Sequence, residues 1–269
     1  MPTFVDTHTH LDHHGELTPA EHVERARAAS VTTLVTVGTD LATSQQAVDA
    51  AHELEGVHAV IGIHPNDAQQ TADDFDGIRD LATDPAVVGI GETGLDFYRD
   101  WCPHDVQEQS FRAHIDLARE HDLTLVIHCR DAWDDTLRVL HDHGAPERVV
   151  MHCFSGDEDV ARHCNEQGWF MSFAGNVTFK NAQDLRDAAA VASLDLLLTE
   201  TDSPYLTPVP HRGERNDSSR IPLVAAQLAE VHGLDVEELA PRLAANAQRA
   251  FGIEVVAGAT PVPVQDLSA

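Results

Sequence analysis

Residues 123–153 read LTLVIHCRDAWDDTLRVLHDHGAPERVVMHC. An apolar, β-rich run, LTLVIH (123–128), precedes a segment with apolar residues at helical spacing (132–143), and a second such run, RVVMH (148–152), follows. Strand, helix, strand is a parallel β-α unit. The rhythm continues in both directions. TFVDTH (3–8), VTTLVTVG (31–38), VHAVIGI (57–63) and VVGIGE (87–92) come before, and WFMSF (169–173) and DLLLTE (195–200) come after. Eight runs separated by helical segments such as 104–121 predict an α/β fold, a single (β/α)8 TIM barrel, and 269 residues fit one. An open doubly wound sheet and a pair of small domains are the alternatives. GIGETG (89–94) is read neither as G-x-G-x-x-G nor as a phosphate-binding loop, because Glu92 follows its second glycine. A polar loop over 211–220 precedes helices at about 220–231 and 235–251. The expected division is a barrel domain over 1–254 and a loose C-terminal tail over 255–269.

Composition limits the class of protein. Lys and Arg total 17 against 45 Asp and Glu, a net charge of −28, and Lys180 is the only lysine. Self-repulsion at this charge is costly in dilute salt and is screened at ~1 M, where the Debye length is about 3 Å. The composition is therefore read as adaptation to a salty cytoplasm. It argues against a nucleic-acid partner held by a broad basic patch. No apolar run approaches the ~20 residues that span a bilayer, and the first residues lack a secretion signal, so no membrane partner and a cytoplasmic location are expected. A monomer is the default expectation. Cys102, Cys129, Cys153 and Cys164 form no C-x-x-C pair and are expected as free thiols.

Metal-capable side chains fall where the strands end. His8 and His10 close run one, Glu92 run four, His128 run five and His152 run six, and Asp202 follows run eight. All strand C-termini of a parallel barrel meet at one face, where active sites sit. The two-residue spacing sends His8 and His10 to the same side, suited to one metal ion. His13, His14, His22, His141 and His143 have no such placement and read as surface or packing residues. Cys129 and Cys153 each follow a proposed ligand, so alternation turns them to the opposite side as packing residues. The donor set is imidazole and carboxylate, which suits Zn, Mn, Co, Ni or Fe, with Mg admitted where carboxylate, water and substrate phosphate dominate; two divalent ions (Mg, Mn or Zn) are expected. Six donors exceed the three or four of one catalytic zinc, and two ions sharing Glu92 is the economical arrangement.

The motifs DTHTHL (6–11), GIHP (62–65), GETGLDFY (91–98), IHCRDA (127–132), MHCFSG (151–156), GNVTFKNA (175–182) and TETDSPYL (199–206) run in order along the chain. With NAQRAF (246–251), they resemble the TatD family of metal-dependent deoxyribonucleases, amidohydrolase-like barrel enzymes, over about residues 4–251. The resemblance implies hydrolysis of DNA, 3′→5′ from single-strand ends. It implies one ion at His8, His10, Glu92 and Asp202 and another at Glu92, His128 and His152, with Glu92 and Asp202 catalytic and Asp202 the general base. By the same resemblance His64, Asp96, Tyr98, Arg130 and Ser203 line the substrate pocket. Residues 212–220 lack the RNEP-like stretch expected there, although Arg215, Asn216 and Pro222 keep part of it. A barrel enzyme acting on an amide, lactone or other phosphoester is the alternative. Against its lysine-bridged forms, Lys180 lies after run seven and Glu92 occupies the bridging place. A non-enzymatic binding protein is a third reading, and it would not need so many converging donors.

Overall fold

The computed structural model describes residues 2–11, 15, 17–99 and 101–256. Eight parallel strands follow in chain order around one sheet: β1 (Phe4–Thr9), β2 (Val31–Val37), β3 (Val57–Ile61), β4 (Val87–Asp96), β5 (Thr124–Arg130), β6 (Val149–Met151), β7 (Phe170–Phe173) and β8 (Leu197–Thr199). An isolated parallel bridge between Thr9 and Ser203 brings the last strand's extension to the first. Helices α1 (Pro19–Ala28), α2 (Leu41–Glu53), α3 (Thr71–Leu81), α4 (His104–His121), α5 (Trp133–His143), α6 (Glu158–Gln167), α7 (Gln183–Val191) and α8 (Ile221–His232) each follow one strand, and α9 (Val236–Phe251) ends the set. This is the expected (β/α)8 barrel, with every predicted strand present.

The interior is identified by which residues meet. Val5, Val35, Val37, Val60, Val126, Val150, Phe170 and Leu198, from seven strands, form one apolar cluster with Ala247, Ala250 and Phe251 of α9. Residues from so many strands meet only inside a barrel, and α9 closes its floor. Side chains alternate along a strand, so the inward position after Val126 is His128, while His152 is the first residue beyond the end of β6. The larger cluster, with Leu34, Ile61, Leu125, Met151 and Phe111, lies between sheet and helices.

Two strands break register just below the mouth. Asp6 pairs with Leu34 but Thr9 with Thr36, and Ile90 pairs with Leu125 but Thr93 with Ile127. Each is a one-residue bulge, which re-aims the side chains it contains. His8 lies in the first and Glu92 in the second. GIGETG does have the glycine spacing of a dinucleotide-binding turn, yet all six residues lie inside β4 and no helix opens on them. Its glycines serve close packing instead. A Cβ on Gly94 (φ +133°) would stand 2.1 Å from the His128 carbonyl oxygen, and one on Gly91 (φ +150°) 2.3 Å from that of Val126.

The segment 211–220 is more than a polar loop. Asn216, Asp217 and Ser218 are buried; Asp217 pairs with Arg25 at 2.9 Å and Ser218 lies 2.7 Å from His22 Nε2. Val256 is bonded across the floor to Thr32 and Thr33, and residues 257–269, the rest of the expected tail, lie outside the described residues. No helix among the described residues is long and apolar enough to cross a membrane.

Candidate metal centre

Glu92 is the centre of the mouth. Its carboxylate is buried, and five imidazoles face it. His128 Nδ1 lies 2.6 Å from Oε1, with His152 Nε2 at 3.4 Å and His64 Nε2 at 3.5 Å from the same oxygen. On the other side His8 Nε2 lies 3.3 Å and His10 Nε2 3.9 Å from Oε2. Burial alone would raise the carboxyl, but His152, His64 and His128 outweigh it and hold Glu92 well below the ordinary range. Each oxygen therefore meets its own group of imidazoles.

His10 donates from Nδ1 to the Val37 carbonyl at 2.9 Å, which leaves Nε2 facing Asp202 Oδ1 at 3.5 Å. A backbone carbonyl behind one ring nitrogen is the usual way an imidazole is oriented toward a metal. Burial lowers His10, while Asp202 and Glu92 more than reverse this and raise it to about 9. Asp202 sits in left-handed backbone (φ +51°), its N–H donating to the His8 carbonyl at 2.9 Å. His64 is pushed to about 3, by burial first and against the pull of Glu92. Its Nδ1 accepts from the Asn66 N–H at 3.0 Å, so the turn at Pro65 orders the ring as well as exposing Nε2 to the centre.

Asp96 ends β4, with Oδ2 3.3 Å from His128 Nε2 and Oδ1 accepting from the N–H groups of Tyr98 and Arg99 at 3.0 and 2.9 Å. Arg130 lays its guanidinium over the Tyr98 ring, 3.9 Å from the centroid. Ser203 stands apart from the rim: it is buried, its hydroxyl 2.6 Å from Thr9 Oγ1, in the seam between β1 and β8.

Three residues at the centre escaped the sequence reading. Glu200 is buried with Oε1 2.9 Å from His152 Nδ1, accepting also from the Cys153 N–H at 2.9 Å. Its two-residue spacing from Asp202 was the available signal. Asp6 accepts from the Thr201 N–H and hydroxyl at 2.9 and 2.6 Å, tying β1 to the β8 extension, and burial raises it to about 7. Cys153 corrects an expectation. Cys129 does turn away and accepts from the Thr136 hydroxyl at 3.3 Å, but the Cys153 thiol groups with His152 and Asp202. Strand β6 ends at Met151 and Cys153 is left-handed (φ +44°), so alternation no longer governs it.

The residues fit divalent ions. One oxygen of Glu200 and the His8 ring nitrogens are buried with no hydrogen-bond partner, and a cation held by that oxygen and the lone-pair nitrogen of His8 would relieve part of this cost. His8, His10 and Glu92 place donor atoms within 4.8 Å of one another, as do Glu92, His128 and His152, and also His8, His152 and Glu200. Of the other histidines, His141 is exposed, His143 lies 3.0 Å from Asp116 at the surface, and His13 and His14 lie outside the described residues.

A profile of the family described as TatD related DNase matches residues 5–252. The chain belongs to the TatD family. Relatives match most of its length. The uncharacterized metal-dependent hydrolase YabD of Bacillus subtilis is 43% identical over 92% of this chain and 98% of that protein. The 3'-5' ssDNA/RNA exonuclease TatD of Klebsiella pneumoniae is 35% identical over 87% of this chain and 92% of its own. The crystal structure of YjjV, a TatD homologue from Escherichia coli, superposes with a TM-score of 0.88 at 26% identity, covering 93% of this chain and 98% of that one. The chain is thus a metal-dependent hydrolase with the fold that its strand rhythm predicted.

Proposed function

We propose that this TatD protein removes nucleotides from the 3′ end of single-stranded DNA by hydrolysing the phosphodiester. The observation that carries the proposal is Glu92, whose two oxygens face separate imidazole groups. His8, His10, Glu92 and Asp202 would hold one divalent ion, and Glu92, His128 and His152 the other. Two such ions lower the pKa of water and offset the charge of phosphate oxygens. The working unit in this proposal is the barrel, residues 1–254.

The protein's own groups do the rest. Asp202, held below the ordinary carboxylate range by His10 and its neighbours against burial, is ionised and takes the proton of the attacking water. Glu200 and the Val37 carbonyl fix the rings of His152 and His10 from behind. Arg130, at the end of β5, is placed to pair with a phosphate oxygen. Asp96 orders the turn that carries Tyr98.

The test is digestion of a single-stranded oligonucleotide, labelled at either end, by metal-stripped protein resupplied with Mg, Mn or Zn in molar KCl. Stepwise shortening from the 3′ end is expected, with Glu92→Gln slower by at least about 100-fold. No cleavage with any of the metals overturns the proposal.

A further inference from the structure

Among the described residues, the large hydrophobic side chains left exposed are Tyr98, Trp101, Tyr205 and Val209, at 61, 64, 55 and 44% of full exposure. None is on the outer face of a helix. Tyr98 and Trp101 follow β4, and Tyr205 and Val209 follow β8, so all four stand at the mouth. In an eight-stranded barrel with strands in chain order, β4 and β8 are diametrically opposed. The aromatic rings therefore mark two ends of a diameter, with Glu92 and its imidazoles between them.

These rings are presented on anchored backbone. Asp96 accepts from the N–H groups of Tyr98 and Arg99 at 3.0 and 2.9 Å, and the Cys102 carbonyl accepts from Gln107 Nε2 at 2.8 Å. The Tyr205 N–H donates to the Asp202 carbonyl at 2.9 Å, while its own carbonyl accepts from Asn216 Nδ2 at 2.6 Å. The Tyr205 ring centroid is 6.5 Å from that of His10, so this end adjoins the centre itself. Opposite, Arg130 stacks over Tyr98 at 3.9 Å and Arg99 over Trp101 at 4.8 Å. In a chain of net charge −28, guanidinium groups backing exposed rings form a local exception. Flat π faces with adjacent cations suit unpaired nucleobases and their phosphates, while a duplex keeps its base faces stacked away from such a surface.

Resting on the phosphodiesterase reading above, we infer that Trp101, beside Tyr98, and Tyr205 are base-stacking residues on either side of the scissile phosphate, so that the site selects strands with unpaired bases by their faces. Every base has a π face, so the selection is for single strands and not for sequence.

Binding tests this without relying on turnover. Two single strands of equal length with phosphorothioate linkages, one carrying bases and one abasic, are titrated into the protein and followed by fluorescence anisotropy. The base-bearing strand should bind more tightly, and Trp101→Ala and Tyr205→Ala should each weaken it by about 5- to 150-fold while leaving the abasic strand unchanged. Trp101→Phe and Tyr205→Phe should restore most of the loss. Equal affinity for both strands, or variants that weaken both alike, overturns the inference. Cleavage of ordinary DNA together with equal binding of base-bearing and abasic strands overturns it and keeps the phosphodiesterase reading. Tighter binding of the base-bearing strand without cleavage supports the stacking role and removes that reading.

Discussion

An imidazole that accepts at one nitrogen and donates from the other is a packing group, and His114 is one. Its Nε2 accepts from the Ile63 N–H at 3.0 Å and its Nδ1 donates to the Ser110 carbonyl at 2.7 Å. Burial pushes His114 down to about 4, and burial likewise takes His22 to about 4. The unfolded chain, near 6.5, takes up these protons first. Both groups therefore contribute full stability above pH 6.5, and lose it as the pH falls from 6.5 through 4, on the order of 3 kcal/mol each. The thermal midpoint should fall over that window, and His114→Gln should make the fall shallower; an unchanged slope contradicts the assignment. His8 differs from His114: neither of its ring nitrogens makes a hydrogen bond, and its Nε2 faces Glu92 Oε2 at 3.3 Å. In the sequence the strand-end position separated His8, His10, His128 and His152 from the packing histidines. Glu200 has the same placement, at the end of run eight two residues before Asp202, while Cys153 departs from strand alternation because its left-handed backbone lies beyond the end of β6.

Strands carry these side chains, and their irregularities aim them. Periodicity located all eight strands, but no periodicity encodes the bulges at His8 and Glu92, which depend on how neighbouring strands slip past one another. The length of β4, running on to Asp96 beyond the expected end at 92, was hidden by its glycines. Those glycines are the vulnerable point. Gly94→Ala places a methyl group against the His128 carbonyl, so β4 and β5 must part where Glu92 and His128 meet. The variant should lose most metal affinity and hydrolysis while still folding, measured by metal titration beside circular dichroism; unchanged affinity contradicts the packing account. On the floor, Asn246 Nδ2 donates to the Leu194 and Leu197 carbonyls at 2.9 and 2.8 Å, linking α9 to β8. Asn246→Leu leaves both unpaired and should cost about 1–3 kcal/mol in denaturant unfolding. This asparagine and Phe251 are the closing motif seen in the sequence, and the structure gives it a mechanical role far from the chemistry.

At the scale of the whole molecule, the excess of acidic residues bears on stability. A net charge of −28 on 269 residues repels itself in dilute salt. The thermal midpoint should rise steadily from about 0.1 M to molar KCl as screening shortens below the spacing of surface charges. A midpoint independent of salt contradicts the reading of the composition as salt adaptation. The same acidity makes the Arg-backed rings at the mouth conspicuous. If Glu92 is shared between two ions, the number of ions bound depends on its carboxylate, and counting ions tests this most directly. Metal-stripped protein is dialysed against Mn2+ and the bound metal is measured per chain, for the natural sequence and for Glu92→Gln. Two ions per chain that fall to one weak ion or none in Glu92→Gln is the predicted result. Two ions retained in Glu92→Gln, or a single ion in the natural protein, contradicts it.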